Sequence, residues 1–117
     1  MDDVDLIYHN KFGIAFRWNN SELKADPNRI QIIFKDMGFY LLREEILQFS
    51  SNIKLAEKRS CSNCQNPENC RNILLRSPLQ KMDFTVSSEE LEQISELIEG
   101  TLFRLNLLHY LDDICKN

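Results

Sequence analysis

The hydrophobic positions of the chain fall into short runs of period two, followed in each half by a longer stretch of three-to-four spacing. In "KFGIAFRW", Phe12, Ile14, Phe16 and Trp18 occupy one face and Lys11, Gly13, Ala15 and Arg17 the other, the pattern of a half-buried strand. The segment from Val4 to Tyr8 supplies its hairpin partner. "NNSELKADPN" (19–28) is loop chemistry, with Asp-Pro-Asn as a turn. "RIQIIF" alternates again, with Ile30, Ile32 and Phe34 on one side, and "KDMG" reads as a tight turn into "FYL". A helix is predicted over 42–58, where Leu42, Ile46, Phe49, Ile53 and Ala56 recur at helical spacing.

The second half repeats this grammar. "RNILLR" (71–76) is a short strand, "SPLQK" a turn and "MDFTV" (82–86) another strand, after which a long helix begins at about Ser88. Ser87 followed by Glu90 is a capping box, in which hydroxyl and carboxylate each satisfy an orphan helix-start amide. At an offset of 45, "FYLLREEILQFSSNI" (39–53) matches "FTVSSEELEQISELI" (84–98), with Phe39/Phe84, Glu44/Glu89, Glu45/Glu90, Gln48/Gln93, Ser50/Ser95 and Ile53/Ile98 identical. The match predicts a duplicated β-β-α element, one copy over 29–58 and one over 71–114, joined by a cysteine loop at 59–70. Leu42 stands where Ser87 caps, so the first helix start is expected to be the weaker. The economical architecture is a single α+β domain, with one antiparallel sheet of about six short strands and two helices on one face.

The junction "MDFTVSSEELEQISELI" resembles that of a group of small bacterial domains of unknown function, in which a C-x-x-C-type pair and short strands precede an F-x-F-T/S-x-E-E helix start. The resemblance covers roughly residues 70–100. It implies a fold and no activity. In those relatives the cysteines sit near the N-terminus, whereas here they lie between the two halves, so a metal site does not transfer with the resemblance.

From Ser88 to about Ile114 the helical pattern spans about 40 Å at 1.5 Å per residue, more than the roughly 30–35 Å breadth of a domain this size. Unless Gly100 kinks or shortens the helix, one end must overhang. Beyond Gly100 the helix is apolar on more than one stripe. One side is expected to pack under the N-terminal hairpin, and the other, through Leu102, Leu105, Leu108 and Leu111, to form a homodimer seam or meet another protein.

Composition narrows the function. The chain has 117 residues, 43% hydrophobic and 27% charged, the balance of an ordinary globular domain that needs no staple to fold. Its formal net charge is −4, which argues against a nucleic-acid partner. No apolar run approaches the length of a membrane span, and the acidic start "MDDVDLIYHN" lacks the features of a signal peptide. The expected compartment is the cytoplasm, where thiols stay reduced. Residues 54–81 carry six basic groups against two acids, whereas 82–117 carry eight acids against two basic groups. This basic segment reads as solvated charge that pairs with the acidic C-terminal helix.

The cysteines lie inside that basic segment. "CSNCQNPENC" (61–70) places Cys61, Cys64 and Cys70 at C-x2-C-x5-C spacing. A C-x2-C turn aims two thiolates at one cation, and such knuckles form half of many zinc sites. Cys70 can fold back as a third ligand, and Cys115, His109 or His9 are the candidates for a fourth. A second C-x-x-C is missing. Reduced thiols without metal, an iron–sulfur centre, and a redox pair of Cys61 and Cys64 next to Lys58, Arg59 and Arg71 remain open. There is no glycine-rich phosphate loop and no nucleophile elbow. The paired glutamates at 44–45 and 89–90 are helix-start charge rather than acid/base dyads. These residues point to a small non-enzymatic interaction or structural domain with a cysteine-loop clip, zinc-stabilised or metal-free. The alternative is a thiol-based zinc, iron–sulfur or redox protein working through Cys61, Cys64 and Cys70.

Overall fold

The computed structural model describes residues 4–19, 26, 28–59 and 73–115. Along the chain run β1 (Val4–His9), β2 (Gly13–Trp18), β3 (Arg29–Phe34), β4 (Met37–Leu42), α1 (Arg43–Lys58), β5 (Ile73–Arg76), β6 (Asp83–Val86) and α2 (Ser88–Cys115). The fold is α+β. Its strands do not form the single sheet that the pattern predicts. β1 to β4 make an antiparallel four-stranded meander, and β5 pairs with β6 in a separate two-stranded sheet. The cause is the exit from β4. There the chain turns directly into α1, which packs against both β4 and β5, so the second hairpin is carried by helices rather than by the edge of the first sheet.

The two sheets meet through aromatic side chains. Phe34 of β3 lies with its ring centroid 5.6 Å from Phe12, 5.6 Å from Phe39, 6.5 Å from Phe49 and 5.7 Å from Phe84. Phe39 and Phe84, which correspond at the offset of 45, meet edge to face at 5.9 Å. Ile30, Ile32, Leu41, Ile46, Ile53, Leu75, Ile94, Leu97 and Ile98 complete one continuous core.

The orientation of β2 differs from the sequence expectation. Ala15 lies opposite Ile32 and Gly13 opposite Phe34, so the face of small residues turns toward the helices. A Cβ on Gly13 would stand 2.9 Å from Leu97 Cδ2 and 2.3 Å from the Ile33 carbonyl oxygen, leaving no room there for a larger residue. The aromatic face points the other way: Phe16 meets Trp18 edge on, and Trp18 Nε1 donates to Gln31 Oε1 at 3.1 Å. A helix lying on a sheet needs close backbone approach more than it needs bulk, and the small face of β2 supplies it. Arg17 shares that inward face.

The helices run antiparallel. Arg43 bonds Asn106, Ser50 bonds Glu99, and Ser95 Oγ donates to Glu57 Oε1 at 3.4 Å. Their starts differ as the sequence predicts. At α2, Glu90 N donates to Ser87 Oγ at 3.1 Å and Ser87 N to Glu90 Oε1 at 3.0 Å, a complete capping box. At α1, Leu42 N donates to Glu45 Oε1 at 2.8 Å, but Leu42 offers no side-chain acceptor in return. Gly100 does not interrupt α2. It lets the Tyr8 ring lie against the helix, and a Cβ there would stand 2.4 Å from the ring. Tyr8 Oη donates to Glu96 at 3.2 Å, and burial together with that carboxylate raises the phenol above its ordinary value.

Gly100→Ala sets a helix-propensity gain of about 1 kcal/mol against displacement of a ring that must give up Glu96, and overpacking typically costs about 1–3 kcal/mol. The expected net is a loss of about 1 kcal/mol. In a Tyr8→Ala background the same substitution becomes stabilising. Urea midpoints at the four corners of this cycle check it, and equal effects in both backgrounds would refute the contact.

Candidate functional site

Cys61, Cys64 and Cys70 lie outside the described residues, as does the Cys115 side chain. The positions of their neighbours nevertheless bear on the four-ligand expectation. The cysteine segment leaves α1 after Arg59, close to Glu57, which meets Ser95. It re-enters at Ile73, which pairs with Val86 just ahead of α2. Both anchors therefore sit toward the N-terminal end of α2. Cys115 is the last residue of α2, about 30 Å beyond Ser95 at 1.5 Å per residue. Fully extended, the chain from Arg59 reaches about 7 Å to Cys61 and about 18 Å to Cys64, and from Ile73 about 10 Å back to Cys70. Cys115 therefore lies far along α2 from both described ends of the segment, and His109 lies about 21 Å along the helix from Ser95. His9 is at the cysteine end: its neighbour Asn10 donates through Nδ2 to the Gln93 carbonyl at 3.1 Å. Among the described residues no group of three or more histidine, cysteine, aspartate or glutamate side chains converges as a metal site.

Two concavities stand out. A groove of about 820 Å³ runs between α1 and the β5–β6 hairpin, with Leu55, Leu74 and Leu79 as apolar lining and Arg59, Arg76 and Lys81 as basic groups. Asn52 fixes this junction by donating to the carbonyls of Arg76 and Ser77 at 3.3 and 3.5 Å. Lys54, Lys58, Arg59, Arg76 and Lys81 form no ion pair among the described residues. These five described basic residues are solvated and make no ion pair with the acidic helix among the described residues, whereas Glu90 of that helix pairs with Lys35. A second cavity, of about 380 Å³, opens where the start of α1 faces the far half of α2, and Arg17, Arg43 and His109 reach it. Sequence reasoning misses this site because period two with bulk inward puts Arg17 on the solvent side of β2. The signal available is the pairing of Arg17 with Gly13 and Ala15 in period two, once the small face is recognised as the one under the helix.

The outer half of α2 is the third feature. Leu102 and Leu105 are buried in the core, so the predicted seam is divided, with Leu108 and Leu111 left exposed. After Leu105 no described residue of α2 is buried. Phe103 is 68% exposed, Tyr110 62% and Ile114 50%. Together with half-buried Leu107 these residues are spaced four, three and four apart and fall on one stripe. No described helix is long and apolar enough to cross a membrane.

Comparison of the chain with protein-family models, with curated proteins and with solved structures found no match. The functional reading therefore rests on the molecule itself.

The distance of Cys115 from the described ends of the cysteine segment has a measurable consequence. In protein loaded with zinc, Cys115→Ser is expected to leave the metal content per chain unchanged, whereas Cys61→Ser lowers it, as read by elemental analysis after gel filtration. Equal loss in both variants would contradict the reach argument.

Proposed function

We propose that the protein is a non-enzymatic interaction domain that pairs with a second copy of itself through the outer face of α2. The observation that carries this reading is the exposed stripe of Phe103, Leu107, Tyr110 and Ile114, apolar and uninterrupted by charge. Its four-three-four spacing is that of alternating d and a positions in a coiled-coil seam, which is self-complementary when two such helices meet. With Leu111 at its margin, the stripe offers five large side chains per copy. Two copies would bury roughly 1,000 Å², the low end of specific interfaces, which corresponds to a reversible dimer rather than an obligate one.

Within this reading Cys61, Cys64 and Cys70 serve as a structural clip between a strand-strand-helix unit ending in α1 and another ending in α2, and zinc is the cation their spacing suits. The two units derive from a duplicated element. Supporting this are the equivalent helix starts at Leu42 and Ser87, with Glu45 and Glu90 accepting from the equivalent amides. A clip of unbridged cysteines suits a reducing compartment, the cytoplasm.

Sedimentation equilibrium over a concentration series tests the pairing. The wild-type chain is expected to approach twice its 13.8 kDa monomer mass as concentration rises. Phe103→Glu and Tyr110→Glu should abolish that rise while leaving helicity unchanged, because both side chains are exposed within one copy. A monomeric wild-type mass throughout, or dimerisation that survives both substitutions, would overturn the reading.

A further inference from the structure

The smaller cavity carries an inference independent of self-association. Its floor is the start of α1 and its walls come from β2, β3 and the far half of α2. Three features converge there. First, Arg17 is drawn to the helix side of the sheet by the register of β2, and its Nε is shut off from solvent with no hydrogen-bond acceptor. A buried guanidinium donor without a partner is a costly arrangement, and an acceptor entering the cavity removes the cost. Second, Arg43 also lines the space and is held by Asn106, which keeps its guanidinium ordered. Third, the start of α1 lacks a side-chain cap at Leu42, unlike the start of α2, so the first-turn amides behind Leu42 receive no acceptor from it. Helix-start amides and arginine forks are the two groups that bind oxyanions best.

The remaining polar lining consists of Asn28, His109 and Glu44. Asn28 and His109 supply further polar contacts. The Glu44 carboxylate opposes an anion, so two guanidiniums stand against one acid. The balance is positive, and the unsatisfied donor is the arginine on the inward strand face. The cavity volume of about 380 Å³ exceeds that of one oxyanion several-fold, leaving room for an organic group beside Ile30 and Leu105.

We infer that this cavity binds a phosphate-type oxyanion, free or as the monoester of a small molecule, with Arg17 as the main contact and the start of α1 completing the cradle. Isothermal titration calorimetry of the full chain tests it at constant ionic strength, with inorganic phosphate, glycerol phosphate and acetate as separate titrants. Phosphate is expected to bind saturably, and Arg17→Gln to weaken it at least tenfold. Lys54→Gln, which removes an exposed charge on α1, should leave it unchanged. Tighter binding of glycerol phosphate than of inorganic phosphate would identify a monoester as the ligand, and the reverse order the free ion. If Arg17→Gln fails to fold by circular dichroism, Arg43→Gln takes its place with the same expectation. Absence of saturable phosphate heat, equal affinity in the folded arginine variant, or equal binding of acetate would each overturn the inference.

Discussion

Phe34 is the contact on which the rest of the architecture depends. It is the last residue of β3, almost fully buried, and its ring neighbours aromatic rings from the β1–β2 turn, from β4, from α1 and from β6. Among the described residues the four-stranded sheet and the two-stranded hairpin share no strand pairing, so they are held in one body through the helices and through side-chain packing. The aromatic cluster does that and leaves the edge of β4 unpaired by β5. It also explains why α1 begins at the end of β4 without a loop: Phe49 must arrive at the cluster about two turns into the helix, and any slack at Leu42 would misplace it.

The sequence revealed the local parts of this arrangement and hid the non-local ones. Ser87 and Glu90 are three residues apart, and their reciprocal bonds require only that spacing, so the capping box could be read directly. The helical pattern of α2 was visible for the same reason, although whether it runs unbroken through Gly100 was not. The inward face of β2 was not. Period two separates Phe16 and Trp18 from Gly13 and Ala15 but does not say which set meets the helix, and bulk favours the wrong one. Only the approach of Leu97 to Gly13 decides it, and those residues are 84 positions apart. The division into two sheets was hidden likewise, since each hairpin is a local pairing and their union would have been a long-range one.

The candidate sites divide in the same way. The cysteine spacing is legible because chelation by C-x2-C is local, but the fourth ligand is a question of distance across the fold. The antiparallel course of α1 and α2 bears on it by putting Cys115 at the end of α2 away from Arg59, where the described part of α1 stops. The exposed stripe of α2 was half visible. Leu102 and Leu105 looked like surface from their spacing, yet they are buried in the core, and Phe103, Tyr110 and Ile114 carry the exposed apolar surface. A helix apolar on several stripes announces that it has two neighbours without saying which stripe meets which.

One helix therefore performs two mechanical roles, and Gly100 marks the boundary between them. Before it, α2 is core: Leu91, Ile94, Leu97 and Ile98 are buried, and β1 is drawn so close at Tyr8 that no side chain fits at position 100. After it, burial fades within two turns: Leu105 is the last buried residue described, and Arg43 donates to Asn106 one position on. The contact that ends the core thus also fixes the side chain beside the uncapped start of α1. An arginine clamped there, with Arg17 facing it from β2, brings positive charge to the one helix start that has no hydroxyl to answer its amides. Of the two matching helix starts, serine closes one and leucine leaves the other open, and the open one falls where the second cavity lies.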